Sequence, residues 1–164
     1  MVKSARPSRI GSLAVLAAAS ACAPASAGTV TGTMAVSLPV EEACNLDVRP
    51  LSFGTLGSGA TRADADTSLG VACTPETAFT VSMDDGQHRA DGRRRMATAS
   101  GEYISYDLYS DAARTRRWGA SLTEAVGGQV AGGSAVTLPI YGRIETAAAG
   151  AGAYSDVVTV TVSF

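Results

Sequence analysis

Along most of the chain, apolar and polar positions alternate every second residue, the period of a half-buried β-strand and not of a helix. Over residues 28–38, Val30, Gly32, Met34, Val36 and Leu38 alternate with Thr29, Thr31, Thr33, Ala35 and Ser37 until Pro39 ends the run. Leu51, Phe53 and Thr55 share a face over 51–56, with Gly54 and Gly57 marking a bend. Leu69, Val71 and Cys73 are in phase, as are Phe79, Val81 and Met83 ahead of the turn residues Asp84-Asp85-Gly86. Over 103–109, Ile104, Tyr106 and Leu108 oppose Tyr103, Ser105, Asp107 and Tyr109. Over 135–144, Val136, Leu138, Ile140 and Gly142 keep step, and Pro139 predicts an edge or a bulge. At the far end, Val158, Val160, Val162 and Phe164 face one way and Thr159, Thr161 and Ser163 the other. Gly-rich and Asp-rich turns separate these runs, and no amphipathic helix intervenes; Ala147-Ala148-Ala149 is too short to make one. The pattern predicts an all-β sandwich in one folding unit.

The opening segment departs from this pattern. Lys3, Arg6 and Arg9 precede an apolar stretch over 10–19 and the small-residue site Ala25-Ser26-Ala27, which reads as a secretion signal over 1–27. The stretch is too short to span a bilayer, so export is expected and membrane insertion is not. Cys22 after Ala19-Ser20-Ala21 offers a rival lipoprotein cleavage, although the large aliphatic residue usual at the first of those positions is missing.

Removing the leader takes three basic residues and no acidic ones, so the 13 Lys+Arg and 15 Asp+Glu of the whole chain become 10 and 15, a net charge near −5. An acidic surface argues against nucleic acid as a partner. Arg93-Arg94-Arg95 is the basic exception, and its place after Asp91-Gly92 predicts an exposed turn. The leader also takes Cys22, leaving Cys44 and Cys73. In an oxidising compartment such a pair predicts a disulfide, and closing a loop of about 30 residues restricts the unfolded chain by roughly 3–4 kcal/mol. The competing thiol nucleophile would need His88, the sole histidine, as its base.

Candidate chemistry is sparse. His88 has no second histidine to share a metal, and Asp84-Asp85-Gly86 lacks the later glutamate of a calcium loop. Glu41-Glu42 and Asp64 with Asp66 are acidic pairs without any sign of the two distinct environments that glycoside hydrolysis needs. Trp118 before Gly119 fits a packing role better than a carbohydrate platform. Neither a nucleophile elbow nor a phosphate loop occurs. The expectation is a non-enzyme with no catalytic residues, cofactor or metal.

The alternating segment 28–38 has two readings. It is either the first strand of its own sandwich or an arm that completes a neighbouring molecule by β-strand addition. In the second case Val30, Met34, Val36 and Leu38 would fill successive pockets and contribute on the order of 6–10 kcal/mol, an upper bound. Gly32 would mark a shallow pocket.

The order of Cys44, Phe53-Gly54, Cys73, Tyr106-Asp107-Leu108-Tyr109, Trp118-Gly119, Tyr141-Gly142-Arg143-Ile144 and Gly152-Ala153-Tyr154-Ser155-Asp156 before the terminal Val/Thr strand resembles the spore coat protein U domain family, which includes Csu-type pilins of archaic chaperone–usher systems. The resemblance spans essentially the whole mature chain. It implies an immunoglobulin-like β-sandwich that lacks one strand, filled first by a periplasmic chaperone and then by the N-terminal strand of the next subunit. It also implies passage through an outer-membrane usher into extracellular fibres that serve attachment and biofilm formation. On matching positions, 28–40 would be the donor strand, with Val30, Gly32, Met34, Val36 and Leu38 as its inserted face. Residues 41–164 would be the pilin domain, Cys44 and Cys73 its bridge, and Val158, Val160, Val162 and Phe164 the groove strand that the chaperone pairs with. The alternatives are an autonomous secreted coat or matrix protein and a carbohydrate-binding adhesin.

Overall fold

The computed structural model describes residues 26–57, 59–145 and 150–164. The predicted leader, apart from Ser26 and Ala27, lies outside the described residues, as do Cys22 and the alanines 147–149. Two units divide the chain, Met1–Leu38 and Pro39–Phe164.

In the first unit, the described residues 26–38 are exposed throughout and carry no regular secondary structure. The strand predicted over 28–38 is therefore absent from the single chain. Alternation makes a segment suited to a sheet, but without a paired neighbour its N–H and C=O groups have no ladder to join.

In the second unit, eight strands form two antiparallel sheets, and among the described residues there is no helix. The strands are β1 (Cys44–Val48), β2 (Arg62–Cys73), β3 (Ala78–Met83), β4 (Arg94–Ala97), β5 (Tyr103–Tyr109), β6 (Val126–Gln129), β7 (Val136–Glu145) and β8 (Val160–Ser163). One sheet has the order β1-β2-β7-β5-β4 and the other β6-β3-β8. Their inner faces share a core of Leu69, Val71, Phe79, Val81, Met83, Ile104, Leu108, Ile140 and Ile144. Trp118 is fully buried in it and donates its indole N–H to the Val81 carbonyl at 2.9 Å, the packing role its setting predicted.

Several elements differ from the pattern-based expectation. Residues 51–56 form no strand; they cross the inner face of the larger sheet, where a Cβ on Gly142 would stand 2.5 Å from Leu51 and 2.9 Å from Phe53. An alternating pattern thus reported a one-sided contact and not a ladder. Pro139 sits within β7, between β2 and β5, but the β5 pairing begins only at Tyr141, so the proline has a neighbour on one side alone. A missing N–H is tolerated there. Arg94 is the clearest correction: it lies in β4 and is fully buried, not on an exposed turn. Its guanidinium donates to the carbonyls of Asp84 (2.8 Å), Met83 (3.1 Å) and Trp118 (2.8 Å), so a charged residue serves as a bracket between strand ends.

Candidate functional site

The smaller sheet has three strands against five, and the mismatch leaves a gap on one side of the sandwich. There β1 pairs only with β2 and β8 only with β3, so each presents a free backbone edge. Between them runs a cleft of about 390 Å³ lined by Val48, Arg49, Leu51 and Phe53 on one side and 154–158 with Val160 on the other. Its floor is the core itself, through Met83, Tyr106, Leu108 and Ile140. Leu46 and Val48 point inward in register with buried Val71 and Leu69, yet remain 37% and 46% exposed because no strand of the smaller sheet covers them.

The two walls run in opposite directions. Cys44 pairs with Cys73, so β1 starts at the disulfide end and leaves it at Val48. A short turn after Cys73 leads into β3, and β8 pairs Val160 with Met83 and Ser163 with Thr80, so β8 enters from the far end and runs back towards the disulfide. Any strand laid between them is antiparallel to one wall and parallel to the other.

Each wall is fixed by its own device. Cys44 and Cys73 form a disulfide across β1 and β2. The start of the opposite wall is held by two carboxylates. Asp84 accepts from the Thr159 N–H at 2.9 Å and the Gly86 N–H at 3.0 Å. Burial opposes its charge, but these bonds and the nearby Arg94 hold its pKa below the ordinary value. Asp156, with its side chain 2% exposed, lies 3.0 Å from His88 Nδ1, accepts from the Gln87 and His88 N–H groups and takes a 2.7 Å bond from the Tyr106 hydroxyl. Burial first, then that carboxylate, pushes the Tyr106 pKa up, so the phenol stays a donor at the cleft floor.

The structure brings Val158 and Val160 to the cleft wall, and places Val162 half-buried in β8 and Phe164 beyond it at 58% exposure. The strand expected over 158–164 is thus shorter, spanning Val160–Ser163. Val30, Met34, Val36 and Leu38 are 97%, 85%, 82% and 83% exposed. The pattern missed β1 as a wall, because CNLDV shows no clean alternation, and it read Asp84 only as a turn residue. No local signal links Asp84 to Thr159 or His88 to Asp156, since these pairs lie 75 and 68 residues apart. Among the described residues, no group of three or more His, Cys, Asp or Glu is placed to hold a metal ion, and no helix is long and apolar enough to cross a membrane.

A two-sheet sandwich with one open side can be compared with known proteins directly. The family model for the Spore Coat Protein U domain matches residues 30–161. This chain belongs to that family. Within the Spore Coat Protein U domain family, it is 33% identical to Protein U of Myxococcus xanthus over 172 residues, covering 92% of this chain and 95% of that protein. Its fold is shared with a crystal structure of the CsuC–CsuE chaperone–tip adhesion subunit pre-assembly complex from archaic chaperone–usher Csu pili of Acinetobacter baumannii, at TM-score 0.57 and 23% identity over 76% of this chain. A chaperone–tip adhesin complex of CFA/I fimbriae biogenesis shares it at TM-score 0.51 and 10% identity over 73% of this chain. The chain spans 40% and 41% of the length of these two neighbours, and at such identities the likeness is one of fold. The all-β class, the two antiparallel sheets and the family follow from the pattern and the comparisons together.

Proposed function

We propose that this Spore Coat Protein U domain protein is a structural subunit of an extracellular fibre, joined to its neighbours by donor-strand complementation. The observation that carries the reading is the apolar-floored cleft between two free strand edges, together with an exposed alternating segment outside both sheets. In this reading residues 1–27 direct export and are removed, 28–40 donate the strand, and 41–164 form the accepting domain. Val30, Met34, Val36 and Leu38 enter the cleft of the next copy or of a related subunit, with Gly32 where the floor rises. A periplasmic chaperone occupies the cleft beforehand, pairing with the edge that carries Val158, Val160, Val162 and Phe164, and an outer-membrane usher exports the growing fibre. The role is structural and not catalytic, and the fibre serves attachment and biofilm formation.

The physical logic rests on two incompatible needs of an isolated copy. Its edge N–H and C=O groups need partners, and its cleft floor needs cover. One extended segment supplies both at once.

The deciding experiment removes residues 28–38 and follows assembly of the exported subunit by SDS-resistant ladders. Loss of polymers with retention of a chaperone-bound monomer is the expected result; undiminished polymers would refute donation by this segment. A second reading, an autonomous coat protein, draws on the match to Protein U over nearly its full length. It predicts a stable monomer without any helper and an N-terminal segment protected within its own molecule.

A further inference from the structure

Arg49 is the one cation among the described residues that line the cleft, and no carboxylate pairs with it there. Its backbone is pinned to β2, donating to the Ser68 carbonyl at 3.4 Å and accepting from the Thr67 hydroxyl at 3.5 Å, so the residue stands fixed at the end of the cleft away from the disulfide. Asp47, on β1 two residues before Arg49, is exposed and in no ion pair among the described residues, whereas three other carboxylates are already engaged. Asp66 pairs with Arg114, Asp85 with Arg117, and Asp156 with His88 and Tyr106.

The N-terminal segment carries the complementary charge. Residues 28–40 hold no ionisable side chain, and Glu41-Glu42 follow at once. Both glutamates are exposed and unpaired among the described residues. Their own position in the fold is the disulfide end, where Ala43 N–H donates to Thr74 Oγ1 at 3.1 Å, Thr74 N–H donates to the Ala43 carbonyl at 2.9 Å, and the Thr74 hydroxyl reaches the Glu41 carbonyl at 3.4 Å.

Resting on the donor-strand reading above, we infer that Arg49 receives Glu41 and Glu42 of the incoming copy, and that this contact sets the direction in which the donated strand lies. The walls run oppositely, so only two directions exist. Laid antiparallel to β8, the donor leaves the cleft at the Arg49 end, and Glu41 lies about 10 Å of extended chain beyond Leu38. Laid the other way, it brings its two glutamates to the disulfide end, against the acceptor's own Glu41 and Glu42. One direction gains an ion pair and the other sets four carboxylates together, a difference that acts on docking rate and orientation. The favoured direction also separates the donor's exit from the acceptor's own root, which leaves successive joints free to repeat head to tail.

The test uses the exported full chain, mixing purified subunits and timing the appearance of SDS-resistant dimers and higher polymers at low and high salt. Arg49→Glu and the double variant Glu41→Arg/Glu42→Arg are each expected to slow joining by about three- to tenfold at low salt, with the gap closing as screening shortens. The triple variant carrying all three changes is expected to return to within about twofold of the parent rate. Arg49→Gln gives an intermediate rate and guards against a folding defect, which circular dichroism of each variant excludes. Parent-like joining by Arg49→Glu, or no rescue in the triple variant, overturns the contact while leaving donor exchange standing. Polymers from the chain lacking 28–38 overturn the donor reading and this inference with it.

Discussion

Two buried or half-buried charges show how single residues hold the cleft open and aligned. Arg94 gives three of its N–H groups to carbonyls at the ends of β3 and the Trp118 segment, while its Nη1 is left without a partner. Burial, then the positive Arg117, lowers its pKa, while the three carbonyls it satisfies and its charge beside Asp84 give it its place in the fold. Arg94→Met keeps the volume but orphans those carbonyls, and is expected to cost about 2–4 kcal/mol in urea unfolding; a loss below about 0.5 kcal/mol would contradict the bracket. Asp84 acts at the opposite wall through Thr159. Its folded pKa lies below the ordinary 3.8, so its contribution is complete above that value and is lost as pH falls through the folded one. The urea midpoint of the parent chain is expected to drop below about pH 4. Asp84→Asn, already weaker at pH 7, is expected to show a shallower acid slope; identical slopes would remove Asp84 from the account.

The elements around the cleft are short and each depends on one outside support. β1 spans five residues, has β2 as its sole sheet neighbour, and shows Leu46 and Val48 to solvent, so the Cys44–Cys73 bridge carries an unusual share of its placement. Cys44→Ser is expected to lower stability by about 2–4 kcal/mol and to reduce fibre yield more than the yield of soluble chain. A thiol assay on the denatured parent chain should find no free cysteine, and two reactive thiols would contradict the bridge. Long, evenly alternating elements were legible in the sequence: β5 was bounded at Tyr103 and Tyr109, and the inward faces of β3 and β7 were read correctly. β4 and β6 span four residues each, too short for a period to emerge, and the small residues of VGGQ carry no apolar phase. The run 51–56 misled for the opposite reason, since Leu51 and Phe53 bury against Gly142 without any ladder. Half of the cleft could be read in this way. Val158 and Val160, which line the cleft, stand in phase in the sequence, whereas the other wall and the carboxylates that fasten residues 156–159 depend on contacts far apart in sequence.

At the scale of the whole molecule, the five-to-three imbalance of strands is the property from which the rest follows. It leaves the edges of β1 and β8 facing a cleft over the core, with a polarity between its walls. The measurement closest to this claim is the thermal melting of the domain 39–164 with and without a synthetic peptide of residues 28–40. Saturating peptide is expected to raise the midpoint by about 4–8 °C or more, and a Val36→Asp peptide to raise it by much less. A domain whose melting is indifferent to the peptide, and whose cleft residues resist hydrogen exchange without it, would mean that the sandwich is already complete, and would contradict the account.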